Sequence, residues 1–196
     1  SSYLKKEEVI MKRILILLLF IILSLQILSA RDHNKPWYPV NDYTSNTRAD
    51  SLHGFDMLRY TVNLHIDHQE NFIDGSVSAV VYAEEDLSQI NYELEQLNVT
   101  SVIVNGDSVD FSYDNSIITI PLSNIFAGQE FTTTVFYNGY PVHSNDAYNI
   151  GMIFRNDHIF TLSDPSGVRW WMPAYDNPWD KAEIDFDIRI RSDWLV

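Results

Sequence analysis

A chain of 196 residues, 45% apolar and 13% aromatic, has the length and composition for one substantial core, which argues against disorder. A formal net charge of −14 argues against binding nucleic acid through its phosphates or an anionic membrane surface. The absence of cysteine excludes disulfides, thiolate catalysis and Cys-ligated zinc.

Residues 1–10 precede a plausible initiator, Met11, and read as an upstream or non-native extension. Residues 11–30 read as a secretory signal peptide, helical while intact. Lys12 and Arg13 give the basic start, an Ile, Leu and Phe run from Ile14 to Phe20 gives the apolar centre, and Ser29-Ala30 the small-residue end. An uncleaved anchor is the weaker reading, because the uninterrupted apolar run is short of the roughly 20 residues that a span needs. Export is therefore expected, with membrane contact only through this leader. Residues 31–54 form a polar, extended lead-in, with Trp37-Tyr38 able to dock on the body.

From residue 55 the pattern changes to alternation. Residues 57–67 put Leu58, Tyr60, Val62, Leu64 and Ile66 on one side and polar residues on the other, as a half-buried strand does. After a turn at 68–71, residues 72–83 return as a second strand, with Gly75 as a bulge or strand start. Residues 90–94 and 97–104 are further strands. Asn105-Gly106 predicts a type I′ hairpin joining 99–104 to 109–113, since both central residues need positive φ. A turn at Asp114-Asn115 leads to a strand over 117–121, then a short loop over 122–128. Another strand over 131–138 is closed by Gly139 and Pro141. Residues 142–148 form a polar loop, 150–154 and 158–162 a short hairpin around Asn156-Asp157, and 185–190 a last strand. No helical stripe is sustained after residue 57, so the expected class is all-β.

Familiar catalytic patterns are missing. The six histidines show no H-E-x-x-H, and His65 and His68 fall on opposite faces of a strand. There is no G-x-S-x-G and no phosphate-binding G-x-x-x-x-G-K. Glu84-Glu85-Asp86, Glu93 and Glu95 read as a solvated edge that discourages strand aggregation. Asn98-Val99-Thr100 matches a glycosylation sequon within a predicted strand and carries little weight.

The informative stretch is 161–190, TLSDPSGVRWWMPAYDNPWDKAEIDFDIRI, with three tryptophans and three prolines. Proline fixes its own φ and restricts its predecessor, so this backbone is stiff without being a ladder. Tryptophans of this size need cover. The segment reads as a rigid connector carrying a site. It resembles the close of the amino-terminal domain in the aminopeptidase N family of zinc exopeptidases, T-Q-x-[E/Q]-P-x-x-A-R-x-W-F-P-C-x-D-x-P-x-x-K-A. Arg169, Trp171, Pro173, Asp176, Pro178, Lys181 and Ala182 match in register without gaps. Weaker likeness extends back through Ile73–Val77, 97–106 and 151–154, covering about 55–196.

That resemblance implies a saddle-like or sandwich β domain over 55–196, lying against a catalytic domain absent from this chain. It implies zinc in the parent protein, with ligands outside this chain and none bound by the fragment, and peptides as substrates. Catalytic and metal-ligating residues are then none here. One binding residue is implied. Asp164 stands where the family's Glu or Gln holds the substrate α-amine, and a carboxylate facing an ammonium forms a charge-assisted hydrogen bond. Asp is one methylene shorter, a loss of reach of roughly 1.5 Å. Leu162 replaces the family's Gln, and Ala174 a frequent Cys. Arg169, Asp176 and Lys181 are expected to be structural, through ion pairs and backbone hydrogen bonds. The fragment alone is expected to be inactive. The competing readings are a non-catalytic secreted β-module for peptide or protein binding, or a carbohydrate module stacking sugars on Trp170, Trp171 and Trp179.

Overall fold

Alternating burial organises the computed structural model, which describes residues 53–144 and 148–194. The extension, the leader and all of the lead-in before residue 53 lie outside the described residues. Eleven strands follow in order: β1 (Phe55–Asp67), β2 (Phe72–Ala83), β3 (Leu87–Glu93), β4 (Asn98–Val104), β5 (Asp107–Val109), β6 (Ser112–Asp114), β7 (Ile117–Ile125), β8 (Glu130–Gly139), β9 (Gly151–Phe154), β10 (Ile159–Leu162) and β11 (Glu183–Arg189). Among the described residues the only helical element is a 3-10 turn at Val168–Trp170. The expected all-β class holds.

A mixed six-stranded sheet runs in the order β11-β1-β2-β8-β4-β5, with only the β11–β1 pair parallel. A three-stranded sheet, β3-β7-β6, and the β9–β10 hairpin complete the set. Val62, Val77, Val81, Phe131 and Val135 of the large sheet join Ile90, Tyr92, Ile118 and Ile120 of the small one in a single apolar cluster, so the two sheets share a core. The Tyr92 hydroxyl lies 2.7 Å from Thr133 Oγ1 inside that core, tying β3 to β8 and satisfying both buried hydroxyls.

Residues 72–83 pair over their full length with β1 as alternation predicts. Four expectations need correction. A bulge between Met57 and Arg59 breaks period two, so Met57 is buried and Leu58 only half so, although the sequence put Leu58 on the inner face. Gly75 is neither bulge nor strand start, because its register with Leu64 is continuous. It allows a close approach: a Cβ there would fall 2.1 Å from the Asn63 carbonyl oxygen.

The third correction concerns the run 109–113, which is not one strand. Asn105 (φ 49°) and Gly106 (φ 93°) turn the chain into β5 as expected. The chain then leaves the large sheet, and β6 pairs with β7 in the small one. The β6–β7 turn uses Asn115 (φ 49°) and Ser116 (φ 64°), a left-handed pair that lacks the usual glycine. Ser116 Oγ is held by the Glu95 carboxylate. Finally, the loop expected from residue 122 begins later, because β7 continues to Ile125 with Leu122 and Ile125 both buried.

Candidate functional site

The chain leaves β10 at Leu162 and returns to the large sheet at Glu183, and the intervening segment is pinned at closely spaced points. Trp171 is 7% exposed, and its indole Nε1 donates to Ser163 Oγ at 3.2 Å. Its ring lies nearly parallel to Phe186 of β11, with centroids 6.3 Å apart. Asp176 Oδ2 accepts from Arg169 Nε at 2.8 Å and from the Arg169 backbone N–H at 3.3 Å. Arg169 Nη2 reaches the Asp176 carbonyl at 3.4 Å, closing the loop on itself. These contacts tie the two ends of the 169–176 stretch together.

The segment is also stitched to the small sheet. Ala174 and Glu93 exchange backbone hydrogen bonds, at 2.8 and 3.2 Å. The Glu93 carboxylate accepts from the Asp176 N–H at 3.0 Å, and the Glu95 N–H donates to the Arg169 carbonyl at 2.7 Å. Glu93 and Glu95 are therefore half-buried anchors and not part of a solvated edge, whereas Glu84, Glu85 and Asp86 are exposed as predicted. Pro173 is buried among these contacts and Pro178 is exposed. Lys181 is exposed and makes no ion pair with a described residue, against the expectation for it.

A second set of anchors joins the segment to β1. The Tyr175 N–H donates to Tyr60 Oη at 3.1 Å. The Met57 N–H donates to the Asp180 carboxylate at 3.3–3.4 Å, and His53 Nε2 lies 3.3 Å from Asp180 Oδ2. Sequence reasoning missed Glu93, Tyr60 and Asp180. Their only local signal was an acid or a hydroxyl beside an apolar run, since their partners are 83 to 123 residues away.

Burial pushes the Asp180 carboxyl above its ordinary value of 3.8, opposed by the Met57 N–H and by His53. The native state therefore holds this proton more tightly than the unfolded chain, and stability contributed here falls as pH rises from 3.8 through the folded value. Asp180→Asn is expected to flatten that part of the pH dependence, read as the urea midpoint between about pH 4 and 7. An unchanged slope in the variant would assign the dependence elsewhere.

Asp164 lies outside this clamp. It is exposed, joined to Pro165 through a cis peptide, and no described residue makes a hydrogen bond or ion pair with its carboxylate. Its neighbour Ser163 is held by Trp171, which fixes the base of the loop. The three tryptophans form no common platform: Trp171 is buried, Trp170 half-buried and Trp179 55% exposed. Alongside runs an apolar groove of about 750 Å³, lined by Leu64, Met152, Phe160, Trp171, Phe186 and Trp194 among others. Phe160 is 42% and Phe186 50% exposed.

Metal chemistry finds no home among the described residues, where no three His, Asp or Glu side chains converge. His65 faces Asp74 at 2.9 Å, and His68 packs on Trp194 with ring centroids 4.5 Å apart. No helix among the described residues is long and apolar enough to cross a membrane.

Neither the family models nor the curated proteins provide a match to this chain. Solved structures do. An M1 zinc metallopeptidase from Deinococcus radiodurans, in a mutant form bound to the tripeptide Tyr-Ser-Ala, is 25% identical with a TM-score of 0.65. The match covers 69% of this chain and 32% of that one. A two-domain M1 zinc metallopeptidase mutant bound to L-arginine is 26% identical, TM-score 0.64, with the same coverage. Leukotriene A4 hydrolase from Saccharomyces cerevisiae shares the fold at 14% identity and a TM-score of 0.55, over 81% of this chain and 26% of that one. The all-β fold matches the amino-terminal β domain of the M1 metallopeptidases, and the chain spans about a third of the length of the first of these relatives.

Proposed function

We propose that this chain is the amino-terminal β domain of an exported, zinc-dependent aminopeptidase, in which Asp164 anchors the substrate α-amine and the Trp171 side packs on a catalytic domain. The observation that carries the reading is the contrast within one segment. Arg169, Trp171, Asp176 and Asp180 are all engaged, while the carboxylate of Asp164 is exposed and unpaired among the described residues at the end of that clamp. A solvated carboxylate on a fixed loop suits a cationic ligand, because little ordering is left to lose on binding.

No three His, Asp or Glu side chains converge among the described residues; on this reading the metal is held by the rest of a longer polypeptide, and the domain by itself is inactive. Zinc there would polarise the scissile carbonyl and activate water. What this chain contributes is orientation: a terminal ammonium held by Asp164 sets the peptide one residue deep. Phe160 and Phe186, apolar side chains that line the groove with Trp171, have exposure that a packed catalytic domain would remove.

The test uses the full reading frame, expressed and loaded with zinc, hydrolysing aminoacyl p-nitroanilides. Asp164→Asn is expected to lower kcat/KM by about 10- to 150-fold, the range for a charge-assisted hydrogen bond of roughly 1.5–3 kcal/mol. Affinity for a competitive inhibitor lacking the α-amine should not change. Equal losses for amine-bearing and amine-free ligands would remove Asp164 from amine recognition, and a product with neither zinc nor exopeptidase activity would remove the reading as a whole.

A further inference from the structure

The face of the large sheet that points away from the core is almost free of charge. Over 61–65 of β1, 74–78 of β2 and 132–138 of β8, its outward positions hold hydroxyls, amides, one histidine, one phenylalanine and a single acid, Asp74. Ordinary surfaces carry roughly 25–35% charged residues. Asp74 is matched in place, with His65 Nδ1 2.9 Å from its Oδ1. At the rim, Arg189 lies 3.9 Å from Asp187. The charges around this patch therefore cancel in pairs, in a molecule whose net charge is −14.

Strand register builds a row of hydrogen-bonding side chains across the patch. Arg189, His65, Asp74, Asn138 and Asn98 stand opposite one another on β11, β1, β2, β8 and β4. The next row sets Asn63, Ser76 and Phe136 side by side. Phe136 is 36% exposed, an aromatic ring among polar neighbours. A shallow cavity of about 350 Å³ lies over these two rows, with Arg189 on the β11 side and Thr100 on the β4 side. Thr100 stands at the bulge between Val99 and Ser101, and its Oγ1 donates to the Phe136 carbonyl at 3.2 Å. Asp74 Oδ2 and Asn138 Nδ2, an acceptor and a donor on adjacent strands, make no hydrogen bond with a described residue.

We propose that this patch binds a neutral saccharide, one sugar ring stacking on Phe136 while Asp74 Oδ2 and Asn138 Nδ2 bond its adjacent hydroxyls. Each hydroxyl of a sugar both donates and accepts, so a neighbouring acceptor and donor can engage two of them together. The C–H face of the ring is apolar and covers the electron-rich face of an aromatic side chain. The cavity is at the lower end of the roughly 300–1,000 Å³ of small-molecule sites, room for a mono- or disaccharide. Other ligand classes fit less well. An extended peptide adds to a free strand edge, whereas β1, β2 and β8 are each paired on both sides. A phosphate or nucleic acid would meet one arginine, already facing Asp187. Saccharide binding here requires neither zinc nor the proposed contact of Asp164.

Amide NMR titration of the whole chain with cellobiose, mannobiose and chitobiose, and with digalacturonate as an anionic counterpart, reads the patch directly. At least one neutral disaccharide should give saturable shifts, half-complete at about 1–10 mM and centred on His65, Asp74, Ser76 and Asn138. Phe136→Ala and Asn138→Ala should each weaken that binding by about 10-fold with the circular dichroism spectrum unchanged. Thr132→Ala, on the same face but outside the cavity, should bind as the parent does. No saturable shift with any of the three neutral disaccharides would overturn the inference. So would shifts centred on Trp179 or the apolar groove, equal affinity in the folded Phe136→Ala and Asn138→Ala chains, or tighter binding of digalacturonate than of every neutral disaccharide.

Discussion

Alanine at Gly75 is expected to destabilise the chain by about 3 kcal/mol, lowering its thermal midpoint by roughly 6–12 °C. The cause is backbone against backbone. A Cβ at this position would sit 2.1 Å from the Asn63 carbonyl oxygen and 3.2 Å from Leu64 Cα, between the paired strands β1 and β2 inside the large sheet. Neither atom belongs to a flexible side chain, so relief requires β1 and β2 to separate. Gly106 provides the control. An added Cβ there meets nothing within 4 Å, and the cost is the strain of a left-handed backbone alone, of order 1–2 kcal/mol. Thermal unfolding followed by circular dichroism would rank the two variants. A Gly75→Ala midpoint within about 2 °C of the parent would mean that the strands yield more readily than this packing allows.

How far the sequence leads can be seen by setting β2 beside β1. For β2, alternation between two turns predicts 72–83, and the strand is Phe72–Ala83. For β1, alternation predicts the strand but assigns Leu58 to the wrong face, because a bulge adds a residue that no periodicity announces. The division of 107–114 between two sheets was equally hidden. Short β5 and β6 look like one apolar-polar run, and only the choice of partner, β4 or β7, separates them. Turn chemistry was readable where it used Asn-Gly, whereas the turn expected at Asp114-Asn115 falls one residue later, at Asn115-Ser116, whose side-chain hydroxyl is held by a carboxylate from another loop.

The candidate site divides along the same line. Arg169 and Asp176, seven residues apart, were expected to make ion pairs with no partner named, and the structure joins them to each other at 2.8 Å. Glu93 was misread because an acid near the end of a strand usually faces water. Its partner, the Asp176 N–H, comes from a different part of the chain. Lys181 errs in the other direction: the motif contains it, yet no described residue pairs with it. Contacts within the motif were accessible from sequence, and contacts between the motif and the sheets were not.

Asp176→Ala is the second variant with a large expected effect. The Asp176 side chain is 5% exposed and Arg169 29%. Truncation leaves the Arg169 guanidinium half-covered, with its Nε lacking an acceptor, and removes the acceptor of the Arg169 backbone N–H. Breaking a fully buried pair costs about 3–5 kcal/mol, and the partial exposure of Arg169 brings the expectation to about 2–3 kcal/mol. Asp176→Asn retains an acceptor for one of the two donors and should cost about 1 kcal/mol less. Because Arg169 lies between Ser163 and Trp171, the loss should spread to the Asp164 loop. Trp171 emission should shift to the red as its cover loosens, and if the proposed function holds, KM of the full reading frame should rise more than its kcat falls. An Asp176→Ala chain that keeps both its denaturation midpoint and its Trp171 emission would show that the Ala174–Glu93 bridge and the Trp171–Ser163 bond suffice to hold the segment without the ion pair.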